Sequence, residues 1–219
     1  MYIDLKRMYC IMAIRNIIFD MGQVLIDYCP ERYTAAFLSD GSCHEDCELV
    51  TKVLFEGEAW KQLDAGKITE TEALTKMLSQ LPSRLHRSAR ALFYGWQTYV
   101  RPIPETNRLA FALKNAGYKI YILSNTGVRL HVYSHRIPAF SIIDGAVYSA
   151  DVQQVKPYAD IFRTLLSRYS LKPEESFFID DNADNIQMAA SLGLQVHQFD
   201  KTKFSTLEQD LHSAGINWQ

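Results

Sequence analysis

The chain has 219 residues, of which 47% are hydrophobic and 22% charged, enough apolar material for one good core or a core with a small accessory lobe. Its 23 basic and 25 acidic residues leave a net charge of −2, which gives no electrostatic argument for a nucleic acid or an anionic membrane as partner. No apolar run approaches the ~18–20 residues that a membrane span needs.

The first residues hold an apolar patch, Met8 to Ile14, closely flanked by Asp4 and Arg15. No small-residue cleavage site follows, so the segment does not read as a secretory leader. Residues 1–11 are expected to be an extension upstream of the fold. The four cysteines, Cys10, Cys29, Cys43 and Cys47, are too few and too irregular for a disulfide framework, and the expected compartment is the cytoplasm. Cys43-His44-Glu45-Asp46-Cys47 has zinc-binding residue types but lacks a second ligand pair. Two cysteines four apart on one helix face are expected to pack.

Residues 14–19 form an apolar, β-branched run that reads as a buried strand. It ends abruptly at Asp20, with Gly22 two residues later. A carboxylate at the end of a buried strand is costly unless a cation or a substrate uses it. Residues 31–99 have a helical pattern throughout and no convincing strand. Pro30 and the Pro102/Pro104 pair punctuate the two ends of this block. Next comes a predicted helix over 105–115, with Leu109, Ala112, Leu113 and Ala116 at helical spacing and Gly117 closing it. A strand is predicted over 119–123 and an extended segment over 142–147. A helix over 160–169, which Pro157 helps to start, precedes a strand over 176–179. The last elements are a helix over 184–192, closed by Gly193, and a strand over 195–199.

Strands that alternate with helices predict an α/β fold, a Rossmann-like parallel sheet with helices on both faces. The helical block breaks the alternation after the first strand. It is therefore expected to be an inserted α-helical lobe, residues 30–100, between core segments 12–29 and 101–219.

Three predicted strands end in polar residues: Asp20, then Ser124-Asn125-Thr126, then Asp180-Asp181-Asn182. In a parallel sheet these ends share the edge where ligands bind. Carboxylates so close repel one another unless a cation separates them. Mg²⁺ suits the place, being hard, oxygen-seeking and commonly bound by one or two carboxylates with substrate phosphate and water. Lys156, in the connection before the next helix, would add positive charge for a phosphoryl group. Singly, the four features read as a turn, a loop start, a solvated lysine and a helix cap. Their order and spacing together point to phosphoryl chemistry.

With those residues in that order, the sequence resembles the haloacid dehalogenase (HAD) superfamily over residues 14–199. The first motif matches Asp20-Met21-Gly22-Gln23-Val24-Leu25, the second Ser124 with Asn125, the third Lys156 with Pro157, and the fourth Asp180-Asp181-Asn182-Ala183-Asp184-Asn185. The inserted helices resemble the family's C1-type cap. Gly57-Glu58-Ala59-Trp60 and Ala65-Gly66-Lys67-Ile68-Thr69 look like the group that contains bacterial α-D-glucose-1-phosphate phosphatase.

The resemblance implies a Mg²⁺-dependent phosphatase acting on a small phosphorylated metabolite, a sugar phosphate with sugar 1-phosphates favoured. Asp20 would attack phosphorus and form an aspartyl-phosphate. Ser124 and the backbone around Asn125 would hold phosphate oxygens. Lys156 would neutralise Asp20 and the developing charge. Mg²⁺ would be held by Asp20, the Gly22 carbonyl and Asp181, with Asp180 completing the acidic set and orienting it from just behind. Asn185 stands where many relatives have a second acidic residue, which thins the negative charge around the metal. The implied partner is a small-molecule phosphate ester, with no nucleic acid and no membrane, and the oligomeric state is not legible.

One departure matters. Most phosphatases of the superfamily carry, two residues after the nucleophile, an aspartate that protonates the leaving alkoxide and later activates water. Here that position is Gly22. General acid–base help is typically worth ~10²–10⁴-fold, so its loss is expected to favour groups that leave easily: anomeric sugar oxygens, acyl groups, phenols. Asp27 is the nearest substitute acid, against a plainer role as a hinge hydrogen-bonding residue; a cap residue or a bound water are the other candidates. The aromatics of the helical block (Tyr33, Phe37, Phe55, Trp60, Phe93, Tyr94, Trp96, Tyr99) are expected to pack between helices, with one or two lining the pocket. His131, His135 and His197 lie off the motif strands and receive no role. Two alternatives remain at this point: a metal-free 2-haloacid dehalogenase, which the Asp180-Asp181 pair disfavours, and a phosphate-binding regulatory protein without turnover.

Overall fold

The structure is a computed structural model that describes residues 13–38 and 43–218. The expected extension at 1–11 lies outside the described residues. Five strands form one parallel sheet: β1 (Asn16–Phe19), β2 (Lys119–Ser124), β3 (Gly145–Tyr148), β4 (Ser176–Asp180) and β5 (Gln195–Gln198). Their order is β3-β2-β1-β4-β5. The first strand is thus central, and the chain winds outward from it in both directions. Phe19 pairs with Ile122 on one side and with Ile179 on the other. This register sets Asp20 level with the ends of both neighbours, at the switch point where ligands bind in such sheets.

Each residue of β1 is buried, because both faces of the sheet are covered. Ile17 and Phe19 point to one side and Ile18 to the other, as the two-residue period requires, and they belong to separate apolar clusters.

The insertion that follows β1 has five helices among the described residues: α1 (Pro30–Phe37), α2 (His44–Thr51), α3 (Glu58–Asp64), α4 (Glu70–Leu78) and α5 (His86–Gly95). No strand interrupts them among the described residues. A wide π-type turn over Lys52–Glu56 joins α2 to the glycine before α3. The start of α4 is fixed by a reciprocal cap: Thr69 Oγ1 accepts from the Glu72 amide at 3.2 Å, and the Glu72 carboxylate accepts from the Thr69 amide at 2.8 Å. The insertion leaves and returns through two adjacent linkers, tied by the Asp27 amide to the Arg101 carbonyl (2.8 Å) and the Ile103 amide to the Leu25 carbonyl (2.9 Å).

After the insertion, α6 (Pro104–Asn115) and the last helix, α11 (Phe204–Ser213), place Leu109, Leu113, Leu207 and Leu211 in the Ile17/Phe19 cluster. Short helices α7 (Leu130–Tyr133) and α8 (Ser149–Val152) follow β2 and β3. The opposite face is covered by α9 (Ala159–Arg168) and α10 (Ala183–Ser191), with Phe162 meeting Phe178 edge-on at 5.5 Å.

The α/β class and the parallel sheet agree with the reading from sequence, and most boundaries fall within a residue or two. Three elements differ. The expected strand over 142–147 is later and shorter, because residues 138–141 form a tight 3₁₀ turn and the strand begins at Gly145. There the Tyr169 ring occupies the space of a β-carbon, and its hydroxyl donates to the Ala146 carbonyl at 3.0 Å and accepts from its amide at 2.9 Å. Helix α11 had no sequence signal beyond two leucines four apart. Cys43 precedes α2 rather than sharing a face with Cys47, and both are free thiols. No helix among the described residues is long and apolar enough to cross a membrane.

Candidate active site

The three polar strand ends converge. Asp20 follows β1, Asp180 ends β4 and Ser124 ends β2. Lys156 comes from the connection between α8 and α9 and is buried. Its Nζ donates to Asp20 Oδ1 at 2.8 Å, to Asp180 Oδ2 at 2.5 Å and to the Leu123 carbonyl at 3.0 Å. Three protons meet three acceptors, so the ammonium is satisfied without water.

Asn125 explains why Lys156 is where it is. Its side-chain amide donates to the Lys156 carbonyl at 2.9 Å and accepts from the Lys156 amide at 2.8 Å. The side chain is thus a clamp on the lysine's backbone. Both oxygens of Asp180 are likewise occupied. Besides Lys156, they accept from the Asn182 amide at 2.8 Å and from the Asn185 side chain at 3.0 Å on each oxygen. Asp180 therefore stands behind the site and orients it, and Asn185 braces Asp180.

Oxygen atoms of Asp20, Asp180 and Asp181 all lie within 4.8 Å of one another. Three carboxylates against one ammonium leave two negative charges uncompensated, a hard, divalent-cation-shaped deficit. The residues fit Mg²⁺ on that ground. Burial raises the Asp20 carboxyl to about 6, with Lys156 holding it down and Asp180 pushing it further up. For Lys156 burial works against the charge, but Asp20 and Asp180 outweigh it and keep the ammonium above its usual value. Asp181 is raised by burial and then by Asp180.

Above these groups is a cavity of about 350 Å³. Asp20, Gly22, Ser124, Asn125, Lys156 and Asp181 form one part of its wall. Aromatic side chains form the other: Phe55, Trp60, Phe93 and Trp96 from the insertion, with Tyr28 and Tyr133 beside them. They meet edge to face, Phe55–Trp60 at 5.0 Å and Trp60–Trp96 at 5.9 Å between centroids. Four of the eight insertion aromatics line the cavity, where one or two were expected. An ion pair joins the two parts: Arg129, in the loop after β2, donates to both oxygens of Glu70 at 2.7 and 2.8 Å and stacks over Tyr94 at 5.1 Å.

A family profile of haloacid dehalogenase-like hydrolases matches residues 14–193. The chain belongs to that family. Among curated proteins, it is 25% identical to the D-ribitol-5-phosphate phosphatase of Bacteroides thetaiotaomicron over 84% of this chain and 91% of the relative. It is 25% identical to the sesquiterpene phosphatase astK of Aspergillus oryzae over 81% and 85%. Among solved structures, the HAD family enzyme bt-2542 from B. thetaiotaomicron superposes with a TM-score of 0.69 at 24% identity, covering 90% of this chain and 98% of that one. That enzyme has also been crystallised with magnesium and inorganic phosphate.

Several residues that the sequence of this HAD-like hydrolase brings forward stand outside the cavity. Asp27 is a hinge anion. It accepts from Arg32 at 2.6 Å and from Lys201 at 2.7 Å, and those two hydrogen bonds hold its carboxyl below the usual range. It neither lines the cavity nor retains a proton to give. His197 lies in β5 with Nδ1 2.7 Å from Asp210, and His131 sits 3.6 Å from Asp151. Sequence reasoning missed Asp64, the Arg129–Glu70 pair and Tyr28. Asp64 merely ends a helix, Glu70 begins one, and nothing in their spacing marks a pocket.

Proposed function

We propose that this HAD-family hydrolase is a Mg²⁺-dependent phosphatase acting on a small phosphorylated metabolite through an aspartyl-phosphate on Asp20. The observation that carries the reading is the buried Lys156 ammonium shared between Asp20 and Asp180 beside a third carboxylate, on a cavity that admits a small ester. In this reading Asp20 Oδ2, the oxygen not bonded to Lys156, attacks phosphorus. Lys156 holds the other oxygen, and its charge offsets the ester's negative charge through space. The Ser124 hydroxyl and the backbone N–H groups after it hold phosphate oxygens. Asp20, Asp181 and the Gly22 carbonyl would hold Mg²⁺, which supplies charge neutralisation at the phosphoryl group when bound. The helical insertion acts as the cap that excludes water and contacts the leaving group.

Sugar phosphates are the class we favour. Position 22 taken alone favours sugar 1-phosphates within it, because Gly22 has no proton to donate and an anomeric oxygen leaves without one; an acid supplied from elsewhere in the cavity removes that preference. The phosphatase names of two relatives support the reaction type. The trio of carboxylates favours phosphorus over carbon as the target, since a metal-free dehalogenase gains nothing from added negative charge. The test is phosphate release in Mg²⁺ from a panel of sugar 1-phosphates, sugar 6-phosphates and aryl phosphates, comparing wild type with Asp20→Asn. Equal release from both proteins would remove Asp20 as nucleophile.

A further inference from the structure

The cavity holds a carboxyl that the scheme above does not use. Asp64 is the last residue of α3, and it lines the same cavity as Asp20. Its position is set by the core. The Ser149 hydroxyl, on α8, donates to the Asp64 carbonyl and accepts from the Thr126 amide at 2.8 Å. The end of α3 is thereby pinned to the loop that begins at Ser124. Two residues on, Gly66 adopts φ +65° and lies against the Ala150 backbone, where a β-carbon would collide, and its carbonyl accepts from Gln153 at 3.2 Å. The consequence is contact between the Asp64 carboxyl and the phosphate-side loop: a β-carbon on Gly127 would stand 3.4 Å from Asp64 Oδ1.

We propose that Asp64 is the general acid and base of the reaction, supplied from the insertion in place of the residue that Gly22 lacks. The proposal rests on the phosphatase reading and names its missing proton donor. In the first step Asp20 forms a bond to phosphorus as the P–O bond to the leaving group breaks. The departing oxygen takes the Asp64 proton and leaves as the alcohol. In the second step the Asp64 carboxylate takes a proton from a water as its oxygen attacks phosphorus. The aspartyl-phosphate bond breaks, phosphate departs, and Asp64 is again protonated.

Two properties suit the group to the task. Burial lifts its carboxyl to about 7, although the Gly127 amide and the Trp60 side chain favour the anion, and an acid–base group works best near the operating pH. Its neighbours in the cavity include Trp60, Tyr28 and Tyr133, aromatic side chains that would face the leaving group. Position 22 itself is open: a β-carbon there would meet only Asp20 Oδ2, at an ordinary 3.9 Å. A β-carbon is therefore tolerated at position 22.

The experiment measures kcat/KM in Mg²⁺ for p-nitrophenyl phosphate and for a sugar 6-phosphate, in wild type, Asp64→Asn and Asp64→Glu. Since kcat/KM covers the steps from free enzyme and substrate through the first irreversible one, it reports substrate binding and leaving-group departure but not hydrolysis of the phosphoenzyme. The expected result for Asp64→Asn is a loss of about 10²-fold or more on the alkyl ester, little change on the aryl ester, and partial rescue by Asp64→Glu. With p-nitrophenyl phosphate, Asp64→Asn should also show a burst of p-nitrophenol and an accumulating phosphoenzyme, because the second step has lost its base. A proportionate loss on both esters, or no loss on either, would overturn the assignment. Absence of phosphate release from wild type on the whole panel would instead overturn the phosphatase reading, and this proposal with it.

Discussion

The two parts of the cavity are built on opposite principles. The sheet-edge part is charged, buried and rigid. Asp20, Asp180, Lys156, Asn125 and Asn185 are joined by hydrogen bonds of 2.5 to 3.0 Å, and each was already visible at the end of a predicted strand or in a motif. The insertion part is aromatic, held by edge-to-face packing, with an acidic residue at a helix end and one ion pair reaching across. The difference teaches a division of labour. In the proposed reading, charge at fixed strand ends would serve what all substrates share, the phosphoryl group, whereas an apolar wall on a separate set of helices would serve what differs between them.

The largest expected effect tests the charged part. Asp20→Asn should lower turnover by on the order of 10⁴-fold or more on each ester of the panel, read as phosphate release. Selective loss on some esters would blur the division. Next, Lys156→Met leaves Asp20 and Asp180 facing each other in a buried site, and breaking a buried ion pair costs about 3–5 kcal/mol. The chemical-denaturation midpoint should fall accordingly, and an unchanged midpoint would show that the two carboxyls share a proton without the lysine.

Asp64 gives a third, smaller effect with a definite sign. Its carboxyl is raised from 3.8 to about 7 in the folded protein, so between those values the native state holds a proton that the unfolded chain has released. Stability from this group is therefore present at low pH and is lost as pH rises through that window. Asp64→Asn should remove the loss and be more stable than wild type at alkaline pH, by roughly 1–3 kcal/mol after allowing for the carboxyl's access to the cavity. Denaturation midpoints at acidic and alkaline pH would show no such crossover if the carboxyl is ionised throughout. The smallest effect concerns the bridge between the two parts. Arg129→Ala should cost about 1 kcal/mol, since the pair with Glu70 is bidentate but partly exposed. It should raise KM more than it lowers kcat; the reverse split would place Arg129 in the chemistry rather than in closure.

Much of the charged part was legible in the sequence. A short β-branched run ended by turn residues reads as a strand, a strand–helix alternation makes the sheet parallel, and a parallel sheet brings its carboxyl ends to one edge. Asp20, Ser124, Lys156, Asp180 and Asp181 follow from that local logic, as does the glycine where an acid is usual. The finer assignments did not follow. The backbone around Asn125 was read as a phosphate contact, but nothing in the sequence showed that its side chain holds the Lys156 backbone. For Asp27 the sequence offered both a substitute acid and a plainer hinge role, and its bonds to Arg32 and Lys201 agree with the hinge role.

By itself, then, the sequence determined the parallel sheet and the polar residues at three of its strand ends, because each is encoded within a few adjacent residues, whereas the central place of the first strand came from the tertiary structure. Only the tertiary structure decided which aromatics enclose the cavity, that Arg129 meets Glu70, and that Asp64 stands against Gly127. Those contacts join segments some sixty residues apart in the chain. Helical periodicity states which residues of a helix share a face, but not what that face looks upon. That is settled by where Ser149 and Gly66 dock the insertion on the core, a contact that leaves no mark in the spacing of either segment.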